Sequence, residues 1–75
     1  LYTMKKIKKI KIKINGSFKS VKDNTNLSVL LKTLKIPLKK VAIELNREIT
    51  DKKRIRNMKL KNNDVVEIVH FIGGG

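Results

Sequence analysis

Ile10, Ile12 and Ile14 alternate with Lys9, Lys11 and Lys13, and the alternation runs straight into Asn15-Gly16. Successive side chains on a strand point to opposite faces, so this stretch can bury one face and must wet the other. Asn and Gly both accept positive φ, which a tight hairpin turn requires. The chain therefore opens with an antiparallel hairpin that is apolar on one face and needs a cover for it. The second strand should run from about Ser17 to Val21. A two-residue loop would put Ile10 opposite Val21, whereas a loop one residue longer would put Ile12 opposite Phe18. Only the longer loop buries Phe18 with the isoleucines, so that register is expected.

The cover follows in sequence. Thr25 or Asn26 can cap a helix by accepting a backbone N–H bond. Leu27, Leu30, Leu31 and Leu34 then recur at helical spacing as one apolar stripe. A leucine stripe of this kind is core, laid across the isoleucines. Pro37 should end the helix, because the residue before a proline is pushed out of the α region.

Alternation returns at Val41, Ile43 and Leu45, followed by a turn at Asn46-Arg47 and a short extension at Glu48-Ile49. Thr50 to Leu60 is polar with isolated apolar residues at Ile55, Met58 and Leu60, and reads as a loop with one short strand. Asn62-Asn63-Asp64 is a turn cluster. Val65 to Phe71 is the strongest strand signal in the chain, and being apolar on both faces it should be central. Two hairpins around one helix, with a central last strand, describe an α+β fold of the ubiquitin-like β-grasp type, a mixed sheet packed on one main helix. Residues 1–72 are expected to form this single domain, and 73–75 a flexible glycine tail. Leu1-Tyr2-Thr3 precede a Met4-Lys5 that reads as a native start, so these three are expected to be a remnant of expression.

At 75 residues the chain buries only roughly 60% of its unfolded surface, which leaves little room for an internal active site. There is no cysteine, which excludes disulfides, thiolate metal sites and a persulfide held on the chain itself. No apolar run approaches the ~20 residues of a membrane span, and a cytoplasmic location is expected. Nineteen basic residues against six acidic give a net charge of +13. Such a charge suits a polyanion partner, but no aromatic residues interleave with the lysines as a stacking platform would need. The lysines read as solvated faces, and no nucleic-acid partner is expected. His70, the only histidine, lacks a second ligand at metal spacing and reads as a partly exposed strand residue. The acidic residues are scattered without an evident acid/base couple. The chain reads as a substrate of enzymes, with no catalytic residue of its own.

The ending from Asn63 to Gly75 resembles the C-terminus of the ThiS family, the sulfur carriers of thiamine thiazole synthesis. Asn15-Gly16, Leu27 to Leu31, and Val41 through Ile49 fall in matching order, so the resemblance covers Lys8 to Gly75. Where that family carries a glycine before Asp64 this chain has Asn63, which can still adopt a left-handed turn. After Ile49 the family often has a Pro-Arg pair and then an aromatic, where Asp51-Lys52 and Ile55 stand here. Related carriers are usually acidic or near neutral, so +13 is unusual.

The resemblance implies that an E1-like adenylating enzyme of the ThiF type uses ATP and magnesium to activate the Gly75 carboxylate. A sulfur donor such as a cysteine desulfurase would supply the sulfur of a thiocarboxylate, and a thiazole synthase of the ThiG type would receive it. The carrier itself binds no cofactor. Glycine has no Cβ, so Gly73-Gly74-Gly75 can thread a narrow channel, with a reach of about 10 Å. Val69, Phe71, Ile72, Gly73 and Gly74 are the expected partner contacts. Within the same class, carriers for molybdopterin or tRNA thiolation share fold and tail, though the approach to the glycines favours the thiazole branch. A basic β-grasp domain that binds RNA is the alternative from another class.

Overall fold

The computed structural model describes residues 8–71. Five strands, β1 (Lys9–Ile14), β2 (Ser17–Lys22), β3 (Val41–Leu45), β4 (Glu48–Ile49) and β5 (Val65–His70), form one sheet, with helix α1 (Leu27–Thr33) on one face. The strand order is β2-β1-β5-β3-β4, so the last strand is the central one, as its sequence implied. It runs parallel to β1 and antiparallel to β3.

The first hairpin takes the other register. Ile10 faces Val21 and Lys13 faces Phe18, across a two-residue turn in which Asn15 has φ 46 and Gly16 φ 85. Turn chemistry sets hairpin register, and here it outweighs the gain from burying one aromatic. Phe18 consequently falls on the lysine face of the hairpin, 70% exposed. Lys19 takes its place on the helix side, half-buried, where a long aliphatic stem can cover apolar surface.

Asn15 does more than turn the chain. Its backbone N–H donates to the Val66 carbonyl at 2.9 Å. Its side-chain Oδ1 accepts from the Ile68 N–H at 2.7 Å, while its Nδ2 donates to the Ile68 carbonyl at 3.1 Å. The amide side chain thus acts as one further residue of the parallel ladder. Asn46 repeats the device from the second hairpin. Its N–H donates to the Val65 carbonyl at 2.7 Å, its Oδ1 accepts from the Val65 N–H at 2.9 Å, and its Nδ2 donates to Asp64 Oδ1 at 3.0 Å. The turn cluster before β5 completes the bracket. Asn62 Oδ1 accepts from the Lys11 N–H at 2.8 Å, and Asn63 sits at φ 72, the left-handed conformation expected of it.

Helix α1 is capped by Asn26, whose side chain accepts from the Val29 N–H at 2.8 Å. It ends before Pro37 can act. Leu34 is its C-cap and Lys35 turns left-handed at φ 57, with Ile36 N–H donating to Leu31 O and Lys35 N–H to Lys32 O, both at 3.0 Å. This is a Schellman closure, and it satisfies the terminal carbonyls two residues ahead of the proline. Leu27, Leu30 and Leu31 pack with Ile10, Ile12, Val41, Ile43, Val66 and Ile68 in one buried cluster. The segment after β4 is a short 3-10 turn (Ile55–Asn57), and the expected strand within it is reduced to a single bridge between Lys59 and Asn26. It closes the core by burying Ile55 and Leu60, tied down by Leu27 N–H to Met58 O and Leu60 N–H to Thr25 O.

Urea unfolding of three variants checks this account. Asn15→Gly keeps the turn but removes both side-chain bonds to Ile68, and should cost about 1–2 kcal/mol in urea unfolding. Asn15→Ala should cost more, because it adds left-handed strain. Lys35→Gly should stabilise by about 0.5–1 kcal/mol, relieving that strain at some loss of unfolded-chain restriction.

Candidate functional site at the open face of the sheet

Helix α1 covers one face of the sheet, and the alternation of each strand decides what the other face presents. Val66 and Ile68 of β5 point to the helix and are buried. Glu67 and Val69 point away, and Phe71 continues their alternation, held beside β3 by its N–H bond to the Lys40 carbonyl at 2.9 Å. Val69 is 56% and Phe71 58% exposed, so the apolar pair expected beside the tail lies open. Phe71 does not complete the core. The Lys52 ammonium lies 5.3 Å from its ring centroid, a contact that holds the ring without hiding it.

The open face is wider than this pair. Ile49 on β4 lies opposite Glu44 and is 78% exposed, and Phe18 stands on β2 at the far edge. Of the five large hydrophobics that are exposed among the described residues, four (Phe18, Ile49, Val69 and Phe71) belong to this face. Scattered exposed apolar residues are ordinary, but their concentration on one sheet face makes it a candidate interaction surface.

Charge divides the same face. Lys9, Lys11 and Lys13 of β1 and Lys22 of β2 share it with Phe18, whose ring centroid lies 5.1 Å from the Lys11 ammonium and 5.3 Å from that of Lys13. An aromatic therefore does sit among the lysines, contrary to the reading of the sequence. Spacing along the chain hid it, because the contact is across strands and depends on the hairpin register. On the β3–β5 half, Glu44 and Glu67 are direct cross-strand neighbours.

Of the residues singled out from the sequence, Val69 and Phe71 are brought to one place at the end of β5. Ile72, Gly73, Gly74 and Gly75 lie outside the described residues. His70 is exposed at the end of β5, opposite Val41. Lys52, Ile49 and Phe18 were missed, and only strand register could have found them. If the face is a binding surface rather than core, Phe71→Ala should lower the melting temperature by no more than about 3 °C, whereas Leu30→Ala, emptying a core position, should cost about 2–5 kcal/mol. Thermal melts of the two variants make the comparison.

The sequence pattern of the ThiS family matches residues 12–75. The sulfur carrier protein ThiS of Bacillus subtilis is 40% identical over 65 residues, covering 85% of this chain and 98% of that one. A thiazole synthase of Magnetococcus marinus is 36% identical over 66 residues, which are 88% of this chain but only 20% of that protein. The crystal structure of a thiamine biosynthesis protein (ThiS) from Geobacter metallireducens superposes with a TM-score of 0.74 at 31% identity, covering 88% of this chain and all of that one.

Proposed function

The chain belongs to the ThiS family, and on that premise we propose that it carries sulfur, as a thiocarboxylate on Gly75, to the thiazole ring of thiamine. The observation that carries this reading is the placement of β5. The central, most constrained strand of the sheet leads through an exposed Val69–Phe71 pair directly into Ile72-Gly73-Gly74-Gly75.

The chemistry follows from the carboxylate. An ionised carboxylate is a poor electrophile until one oxygen becomes a leaving group. In the adenylating partner, a Gly75 oxygen attacks the α-phosphorus of ATP and pyrophosphate leaves. The acyl adenylate then accepts a sulfide, and AMP leaves with the oxygen it gained. If the sulfur arrives as the terminal atom of a persulfide, a second thiol must cleave the resulting S–S bond to free the thiocarboxylate. ATP and magnesium belong to the partner, and every catalytic group is the partner's. The carrier contributes a rigid support, a grip and a slender tail.

Val69 and Phe71 provide the grip, with Ile72, Gly73 and Gly74 drawn into the partner's channel. A thiazole synthase that contains a segment resembling this chain supports pairing with an enzyme of that type.

Intact-mass measurement after incubation with the adenylating enzyme, ATP and a sulfur source tests the modification. The wild-type chain should gain the mass difference between sulfur and oxygen. Deleting Gly75, or adding one residue after it, should abolish the gain, and a full shift in either variant would refute the assignment to Gly75. Phe71→Ala should weaken binding to both the adenylating enzyme and the thiazole synthase by tenfold or more, the loss of one buried aromatic anchor of about 2 kcal/mol. Titration calorimetry measures it.

A further inference from the structure

The tail-side patch accounts for Val69 and Phe71 but leaves the opposite half of the same face unexplained. There, Phe18 projects from an edge strand at 70% exposure with the Lys11 and Lys13 ammonium groups against its ring, and Lys9 and Lys22 lie on the same face farther along the hairpin. The Lys9–Lys22 pair, Lys11, Lys13 and Phe18 are set on this face by the two-residue turn. Resting on the carrier reading above, we infer that this half is a second anchor for the adenylating enzyme, which meets it with an acidic surface around an apolar socket for Phe18.

Dimensions allow one partner to hold both anchors. Phe18 is level with Lys13, Lys13 with Val65, and Phe71 lies six residues beyond Val65 and two strands across from β2. At about 3.3 Å per residue and about 4.8 Å per strand, the two aromatics are about 20 Å apart. An ordinary interface of about 800 Å² per partner is wide enough to cover both. Val65, Val69 and Ile49 continue the apolar surface across the sheet between and beside them.

The chemistry selects the occupant. Three lysines at every second position of β1, with Lys22 beside Lys9, present one sign of charge and call for a negative surface. A nucleic-acid strand fits less well. One aromatic, already flanked by two ammonium groups, gives no succession of stacked bases, and Glu44 and Glu67 would repel a phosphate chain crossing the sheet. A second copy is opposed by the charge of +13 that each chain carries. An acidic protein surface answers the lysines, gives Phe18 a desolvated seat, and remains compatible with the apolar centre. Rim charges of this kind act chiefly on association rate and salt dependence, whereas a seated aromatic acts on dissociation.

The test uses the full-length chain, the adenylating enzyme of the same organism, and the oxygen-to-sulfur mass gain as readout. The triple variant Lys9→Glu, Lys11→Glu and Lys13→Glu should raise KM for the carrier at least tenfold at low salt, leave kcat at saturation within twofold, and flatten the dependence of KM on salt. Phe18→Ala should raise KM about tenfold with an unchanged salt slope. Melting curves of both variants confirm that they fold, and if the triple variant fails to fold, Phe18→Ala alone decides. KM within twofold of wild type in the folded variants overturns the second anchor, while the wild-type mass gain still stands for the carrier reading. Binding of a labelled single-stranded RNA that the triple variant loses, with KM unchanged, overturns it in favour of nucleic acid. A wild-type chain that never gains sulfur refutes the carrier reading, and with it the partner named here.

Discussion

The structure hangs on how β5 is held in the middle of the sheet. Strands β1 and β3 supply backbone ladders, but the parallel one is short, with Cα partners only at Lys13–Val65 and Ile14–Val66. Side chains extend it. Asn15 grips Ile68 by both its N–H and its carbonyl, and Asn46 grips Val65 and Asp64 from the other hairpin. Each hairpin turn therefore serves twice, reversing its own strands and binding the strand that joins the two hairpins. Asparagine suits both tasks, since it tolerates positive φ and carries an amide that imitates a peptide group.

From that anchoring follows the contrast between the faces. A strand fixed along its length cannot rotate to hide Val69 and Phe71, so its alternation is expressed in full. Val66 and Ile68 go to the leucines of α1, and the other set stays in contact with water. Among the described residues, one α-helix and five strands give cover to a single face of the sheet. The uncovered face follows from that architecture, and its apolar content is what recommends it as the proposed surface for partners.

Much of this was legible in the residues. Strict alternation found β1 and β3, leucine spacing found α1, and a run apolar on both faces placed β5 at the centre. Asn63 was readable as left-handed because the ThiS family carries glycine at that place and asparagine is one of the few other residue types that accept the conformation. The misreadings have separate causes. Phe18 was assigned to the core because burial was weighed above turn geometry, and a one-residue slip of register moves a side chain to the other face. The helix was expected to stop at Pro37, whereas a Schellman closure needs only one residue, Lys35, to accept positive φ, and lysine gives no such signal. Ile55 and Leu60 belong to a segment without periodicity, so their burial depends on contacts with Thr25 and Leu27 that no local pattern encodes. The lysine-flanked Phe18 was invisible for the same reason as its register.

Placing the central strand last in chain order also governs when the domain can come into being. The first hairpin, the helix and the second hairpin can each form locally, yet the two hairpins have no shared ladder until β5 lies between them. Its pairing with β1 joins residues about fifty positions apart, a non-local step that is slow relative to hairpin closure. During synthesis the sheet cannot assemble before the chain has been made through His70. A chain cut short before Val65 leaves two unconnected hairpins and open core leucines, the kind of species that quality control removes. Any molecule that has folded has therefore already been made up to the threshold of its tail.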